Sequence, residues 1–208
     1  MDQRIGSSFL GHGPGFGGSC LVKDLTGLIH AAGALGYQAP VARAALEVNT
    51  WARTRVVDKL ATALGPLAGK WIAVLGLAFK PGTDDVRDSP GAGIVHRLLD
   101  LGATVTVHDP AATSPDLAGL MRDDAYLAAR GADALVITTA WPEFAALEPA
   151  RLEAAMTGHV VVDAVGVLDP GAAAAAGLEI ITLGRGSPDV FHPVVVPPLE
   201  WCLDLALA

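Results

Sequence analysis

Apolar positions along this chain follow two different patterns, and the change comes near residue 67. From Leu21 to Leu64 they recur at helical spacing. Leu21, Leu25, Leu28 and Ile29 form one run, and Leu46, Val48, Val56, Val57 and Leu60 another, with Arg43, Glu47, Arg53, Arg55, Asp58 and Lys59 between them. This predicts a short helix opening at Ser19 or Cys20, then a break at Gly33, Gly36 and Tyr37-Gln38-Ala39-Pro40. A single helix of roughly twenty residues follows from Val41 and ends before Gly65-Pro66. A helix of that length cannot bury its apolar face in so small a unit, so packing against a second copy of the chain is expected.

After Leu67-Ala68-Gly69-Lys70 the pattern changes to short, nearly continuous apolar runs. They are 71–75, 104–108, 134–138, 159–163 and 178–182. Helical stretches separate them at 90–101, 117–130, 148–156 and 170–176, the first opened by Ser89 as cap and Pro90 at the first helical position. Strands buried on both faces and alternating with helices predict a parallel sheet with helices on both faces. The expected fold is α/β: a helical segment over residues 1–66, a Rossmann-like sheet domain over 67–186, and a tail over 187–208. Pro188, Pro193, Pro197 and Pro198 make that tail extended and irregular.

Composition narrows the function classes. In 208 residues, 51% are hydrophobic and 17% charged, which excludes disorder as the main state. A net charge of −8 argues against a nucleic-acid partner, so any anionic ligand must be held by local groups. Cys20 and Cys202 give neither a metal spacing nor a disulfide framework. Met1-Asp2-Gln3-Arg4-Ile5-Gly6 lacks the apolar core of a signal peptide, and no apolar run is long enough for a membrane partner; a cytoplasmic protein is the expectation.

The chemistry concentrates in Gly13-Pro14-Gly15-Phe16-Gly17-Gly18-Ser19-Cys20-Leu21-Val22-Lys23-Asp24. Four glycines in six residues make a loop able to approach a ligand closely or to take positive φ. The loop delivers a thiol to a helix N-terminus, where the macrodipole and unpaired N–H groups favour the nucleophilic thiolate. Asp24, four residues on, shares its helix face. A lone cysteine is also commonly a small buried hydrophobe. None of His12, His30, His96, His108, His159 and His192 stands in a motif that links it to Cys20 as a base.

The second candidate is the loop after the first strand, Gly76-Leu77-Ala78-Phe79-Lys80-Pro81-Gly82-Thr83-Asp84-Asp85-Val86-Arg87. It is neither a G-x-G-x-x-G fingerprint nor a P-loop. Lys80 and Arg87 stand near the phosphate position of such folds, or are solvated charges among Asp84, Asp85 and Asp88. Asp109 ends the second strand, where it is either a ribose-binding acid or a turn residue before Pro110.

Both stretches resemble one family. The segment from Met1 through Gly17-Gly18-Ser19-Cys20-Leu21-Val22-Lys23-Asp24 is similar to the catalytic-cysteine segment of the UDP-glucose/GDP-mannose dehydrogenases. Gly76 to Pro90 is similar to that family's UDP-binding signature. The resemblance runs to about residue 186 and leans towards the UDP-glucose branch, with GDP-mannose and UDP-N-acetylhexosamine as alternatives. It implies two successive oxidations by NAD through a thiohemiacetal and a thioester on Cys20, assisted by Asp24 and Lys23. It further implies that Arg4, Phe9, Gly13, Phe16, Gly17, Phe79, Lys80 and, more loosely, Arg185 contact the nucleotide-sugar. Arg87 would reach NAD, and the helix pair would form a homodimer core. The family's NAD-binding half is absent from the pattern, so the resemblance implies NAD mainly on other residues, with a separate NAD-domain chain as a candidate partner. A module that binds nucleotide-sugars or dimerises without chemistry of its own is the rival reading.

Overall fold

Turn chemistry places the helix boundaries. A computed structural model of the chain describes residues 11–184, and in it α1 spans Leu21–Ala34 and α2 spans Pro40–Leu64. Gly36 takes a φ of +77° between them, and Gly65, with φ +75°, ends α2. Five strands follow: β1 (Trp71–Leu75), β2 (Thr104–His108), β3 (Ala134–Ile137), β4 (Val160–Asp163) and β5 (Glu179–Thr182). The connecting helices are α3 (Pro90–Asp100), α4 (Ala125–Ala129), α5 (Pro142–Ala145), α6 (Pro149–Ala155) and α7 (Pro170–Ala175).

All neighbouring strands pair in parallel, in the order β2-β1-β3-β4-β5. Right-handed crossovers then put α3 on one face of the sheet and α4, α6 and α7 on the other. The α/β architecture expected from the sequence is the one observed. β3 and β4 are buried along their whole length, which is why their sequences read as unbroken apolar runs. Helix α2 joins this core on the α3 side. It buries Val56, Val57 and Leu60 in the same cluster as Ile94, Val95 and Leu98 of α3, each worth about 1.5–3 kcal/mol of transfer free energy.

The other end of the helix pair is open. Helix α1 buries no residue, and Leu28, Val41, Val48 and Trp51 are 57%, 83%, 61% and 43% exposed. Val41, Val48 and Trp51 fall along one exposed stripe of α2, where the Arg55 guanidinium lies 5.3 Å from the centre of the Trp51 ring.

One predicted element is corrected. Residues 117–130, expected to be mostly helix, hold two short helices in place of one: a 3-10 helix at Pro115–Leu120 and α4, separated by Met121–Asp124. There Met121 bridges to Val107, the Arg122 N–H donates to the Val107 carbonyl, and Asp124 caps α4 by accepting from the Leu127 N–H. The edge of β2 and a new N-cap outcompete helix propagation. Ser89, by contrast, caps α3 as expected, its Oγ accepting from the Gly91 and Ala92 N–H groups at 3.1 and 3.4 Å.

The sheet's carboxyl end is held by two buried carboxylates. Asp109, 7% exposed, accepts from the N–H groups of Leu77, Ala78, Ala111 and Ala112 and from the Trp141 indole, all between 2.7 and 3.1 Å. Asp163, fully buried, accepts from Val165, Gly166 and Leu168. Of the two sequence readings of Asp109, the turn residue is the one supported.

Candidate functional site: a thiol loop seated on the β1–α3 loop

Residues 11–20 lie across the carboxyl end of the sheet, and their seat is made by backbone contacts. The Phe16 N–H donates to Asn49 Oδ1 at 2.6 Å, and the Phe16 carbonyl accepts from Asn49 Nδ2 at 3.0 Å. The same carbonyl accepts from Arg53 Nη2 at 3.0 Å, and that nitrogen also donates to the Asp88 carbonyl at 2.9 Å. Two residues on, the Gly18 N–H donates to the Arg87 carbonyl at 2.9 Å. Asn49 and Arg53 are one helical turn apart on α2, so one helix face pins both loops.

Two of the glycines are explained by this contact. A Cβ on Gly17 would run into the Asp88 carbonyl and lie 2.9 Å from Pro90 Cδ. Gly18 has φ +87°, and a Cβ there would lie 2.8 Å from the Phe79 ring. Any side chain at either position would part the two loops. The glycine run thus serves the close approach of loop to loop. Gly13 meets no such neighbour, and His12 rests against Gly166 in the loop after β4.

This seating presents Cys20 at the N-cap of α1 with φ −102° and ψ −62°, exposed, its Sγ 3.7 Å from Ser19 Oγ. Arg87 is forked on Asp85, Nε to Oδ1 at 2.9 Å and Nη2 to Oδ2 at 2.7 Å. The Arg87 guanidinium is held above its ordinary value by the hydrogen bonds and charge of Asp85. Lys80 Nζ stands 5.4 Å from the centre of the half-buried Phe79 ring. Lys23 and Asp24 project into solvent and pair with each other, Nζ to Oδ1 at 3.4 Å.

The Arg87–Asp85 fork has a pH signature. The hydrogen bonds from Arg87 lower Asp85 from 3.8 to about 2. A depressed carboxyl contributes stability above its unfolded value and loses it as the pH falls towards the folded one, so the fork should persist until about pH 2. Carboxyl carbon shifts followed by NMR should show this midpoint, and Arg87→Gln should return it towards 3.8. An unmoved midpoint would mean that Arg87 is not its cause.

The sequence-predicted residues therefore divide. Phe16, Gly17, Cys20, Phe79, Lys80 and Arg87 meet on the two loops. Lys23 and Asp24 stand one turn along α1. Arg4, Phe9, Arg185 and Cys202 lie outside the described residues.

Residues 73–170 match the UDP-binding domain of the UDP-glucose/GDP-mannose dehydrogenase family, and residues 1–51 match that family's central domain. The chain belongs to this family. It is 38% identical over 191 residues to the UDP-glucose 6-dehydrogenase TuaD of Bacillus subtilis, covering 89% of this chain and 41% of the relative. To the UDP-glucose 6-dehydrogenase AglM of Haloferax volcanii it is 45% identical over 169 residues, 78% of this chain and 38% of that protein. The solved structure of a UDP-glucose dehydrogenase from Pyrobaculum islandicum superimposes with a TM-score of 0.71 at 38% identity, over 80% of this chain and 39% of that one. The chain thus spans about two-fifths of the length of the relatives it matches.

Among the described residues of this dehydrogenase-family chain, the crevice where the strand order reverses does not fit a dinucleotide pyrophosphate. Thr138 Oγ1 donates to the Leu75 and Gly76 carbonyls at 3.1 and 2.7 Å, and Thr139 Oγ1 donates to the Ala78 carbonyl at 2.8 Å. The Leu77 and Ala78 N–H groups are already taken by Asp109, and those of Gly91 and Ala92 by Ser89. Arg87 is the one group here proposed to touch NAD.

Asn49 and Arg53 were not among the residues singled out from sequence. One signal was available: Asn49 is a short amide in the middle of a helix, where asparagine is unfavourable unless its amide is used.

Proposed function

We propose that this chain supplies the thiol and the nucleotide-sugar surface of an NAD-dependent nucleotide-sugar dehydrogenase, with UDP-glucose as substrate and UDP-glucuronate as product. One observation supports the reading: the Cys20 loop is seated directly on the Phe79–Arg87 loop, so nucleophile and nucleotide contacts would lie side by side. Phe79 and Lys80 would hold the nucleotide-sugar, with Arg4, Phe9, Phe16 and Arg185 around it. Bound NAD would supply the acceptor for one hydride in each of the two oxidations, its pyrophosphate held by residues other than those described.

The chain's own chemistry concerns the carbon being oxidised. The Cys20 thiolate adds to the C6 aldehyde and forms a thiohemiacetal, whose oxyanion the Lys23 and Lys80 charges would stabilise. At the thioester stage Asp24 would orient the water that releases the carboxylate. A second copy of the chain is the proposed cover for the stripe of Val41, Val48 and Trp51. A sedimentation mass of one chain at micromolar concentration would remove that part of the reading.

The test is calorimetric titration of the 208-residue chain with UDP-glucose, GDP-mannose and NAD in turn. Saturable heat with UDP-glucose and none with NAD is expected. Binding of GDP-mannose in preference would overturn the substrate assignment, and absence of binding by either nucleotide-sugar would overturn the nucleotide-sugar surface.

A further inference from the structure

The thiol loop is attached to α2 through the backbone of one residue, Phe16. Asn49 is 6% exposed, and both ends of its amide are used by the N–H and carbonyl of Phe16, in the manner of a neighbouring strand. Arg53 adds a bridge between the Phe16 and Asp88 carbonyls. Asp88 is held with φ +50°, a conformation unusual for a non-glycine residue, and Arg53 grips the carbonyl of that residue. Neither side chain reaches Cys20. What they fix is where the loop that carries it lies against the loop that carries Phe79, Lys80 and Arg87.

We propose that Asn49 and Arg53 are positioning residues: they hold the Cys20 loop in register with the β1–α3 loop, so that a sugar carried by the second is presented to the thiol on the first. The inference rests on the function proposed above. Its reach is greater than that of a local packing contact, because the Gly18–Arg87 bond, which neither side chain touches, depends on the same register.

Two measurements on the 208-residue chain test it. In hydrogen exchange, Asn49→Ala and Arg53→Met should speed exchange of the Gly18 amide about tenfold while the β1 amides keep their protection. Arg53→Lys, which keeps a donor cation, should restore it. In alkylation with iodoacetamide, read at the Cys20 peptide, UDP-glucose should protect the parent more than UDP does. Asn49→Ala and Arg53→Met should lose that extra protection while still binding UDP. Gly18 exchange unchanged in both variants would overturn the proposal, as would exchange rising equally across β1, which would mean general loosening. Should Asn49→Ala fail to fold, the half-exposed Arg53 pair decides alone. If the parent shows no UDP-glucose protection, the function reading fails, and the register is judged by Gly18 exchange.

Discussion

Cys20→Ser should end acid formation in an enzyme completed by joining this chain to the NAD-binding half of a relative. Serine keeps the size and position of the side chain but is a far weaker nucleophile near neutral pH, since its hydroxyl has no adjacent base and no thiolate-like acidity. Among the described residues no histidine lies on the two loops to activate it except His12, which rests on Gly166. Turnover to the acid should fall by on the order of 10³ or more, the scale seen when a covalent nucleophile is removed. Reduction of NAD by the first oxidation should persist at a measurable level, because that step needs no bond to sulfur. Nucleotide-sugar affinity should be nearly unchanged, as Phe79 and Lys80 are untouched. Acid formation at the parent rate in Cys20→Ser would remove the covalent route altogether. Loss of both oxidations with loss of affinity would instead make Cys20 a structural residue of the loop.

The parts of this site that were legible in the sequence are those encoded by neighbouring residues. Ser89-Pro90 is both cap and first turn, so the start of α3 could be placed to the residue. The glycine run and Cys20 announced a loop entering a helix, and that is their geometry. What those glycines approach was not legible. The close neighbours of Gly17 and Gly18 are Asp88 and Phe79, some seventy and sixty residues away, and nothing local selects them. Asn49 and Arg53 were hidden for the same reason: their partners are fixed by how α2 leans on the sheet domain, which periodicity does not report. The break inside 117–130 was not legible because the apolar spacing fits a helix throughout, whereas Met121 and Arg122 are claimed by β2, a tertiary contact that overrides propensity.

Asp109 shows the same division between local and tertiary signals, and it carries the second large effect. In sequence it is an acid at the end of a strand, open to two readings. In the structure one carboxylate organises three segments: the start of the β1–α3 loop, the turn after β2 and the Trp141 side chain before α5. Asp109→Ala would leave four backbone N–H groups and an indole N–H without their acceptor in a site that is 7% exposed. A buried donor left unpaired costs about 1–3 kcal/mol, and partial relaxation keeps the sum below simple addition. The expected loss is about 4 kcal/mol, or roughly 8–16 °C in Tm for a chain of this size. Asp109→Asn preserves the shape but turns an amide N–H towards one set of these donors, and about 2 kcal/mol should be lost. Thermal denaturation of the two variants orders them, Ala below Asn below parent. Because Leu77 and Ala78 lead directly into Phe79 and Lys80, UDP-glucose affinity should fall in Asp109→Asn even at temperatures where the protein remains folded. A ribose-binding acid would behave differently: its removal would weaken ligand binding while leaving Tm within a degree or two of the parent, since no backbone donor would depend on it.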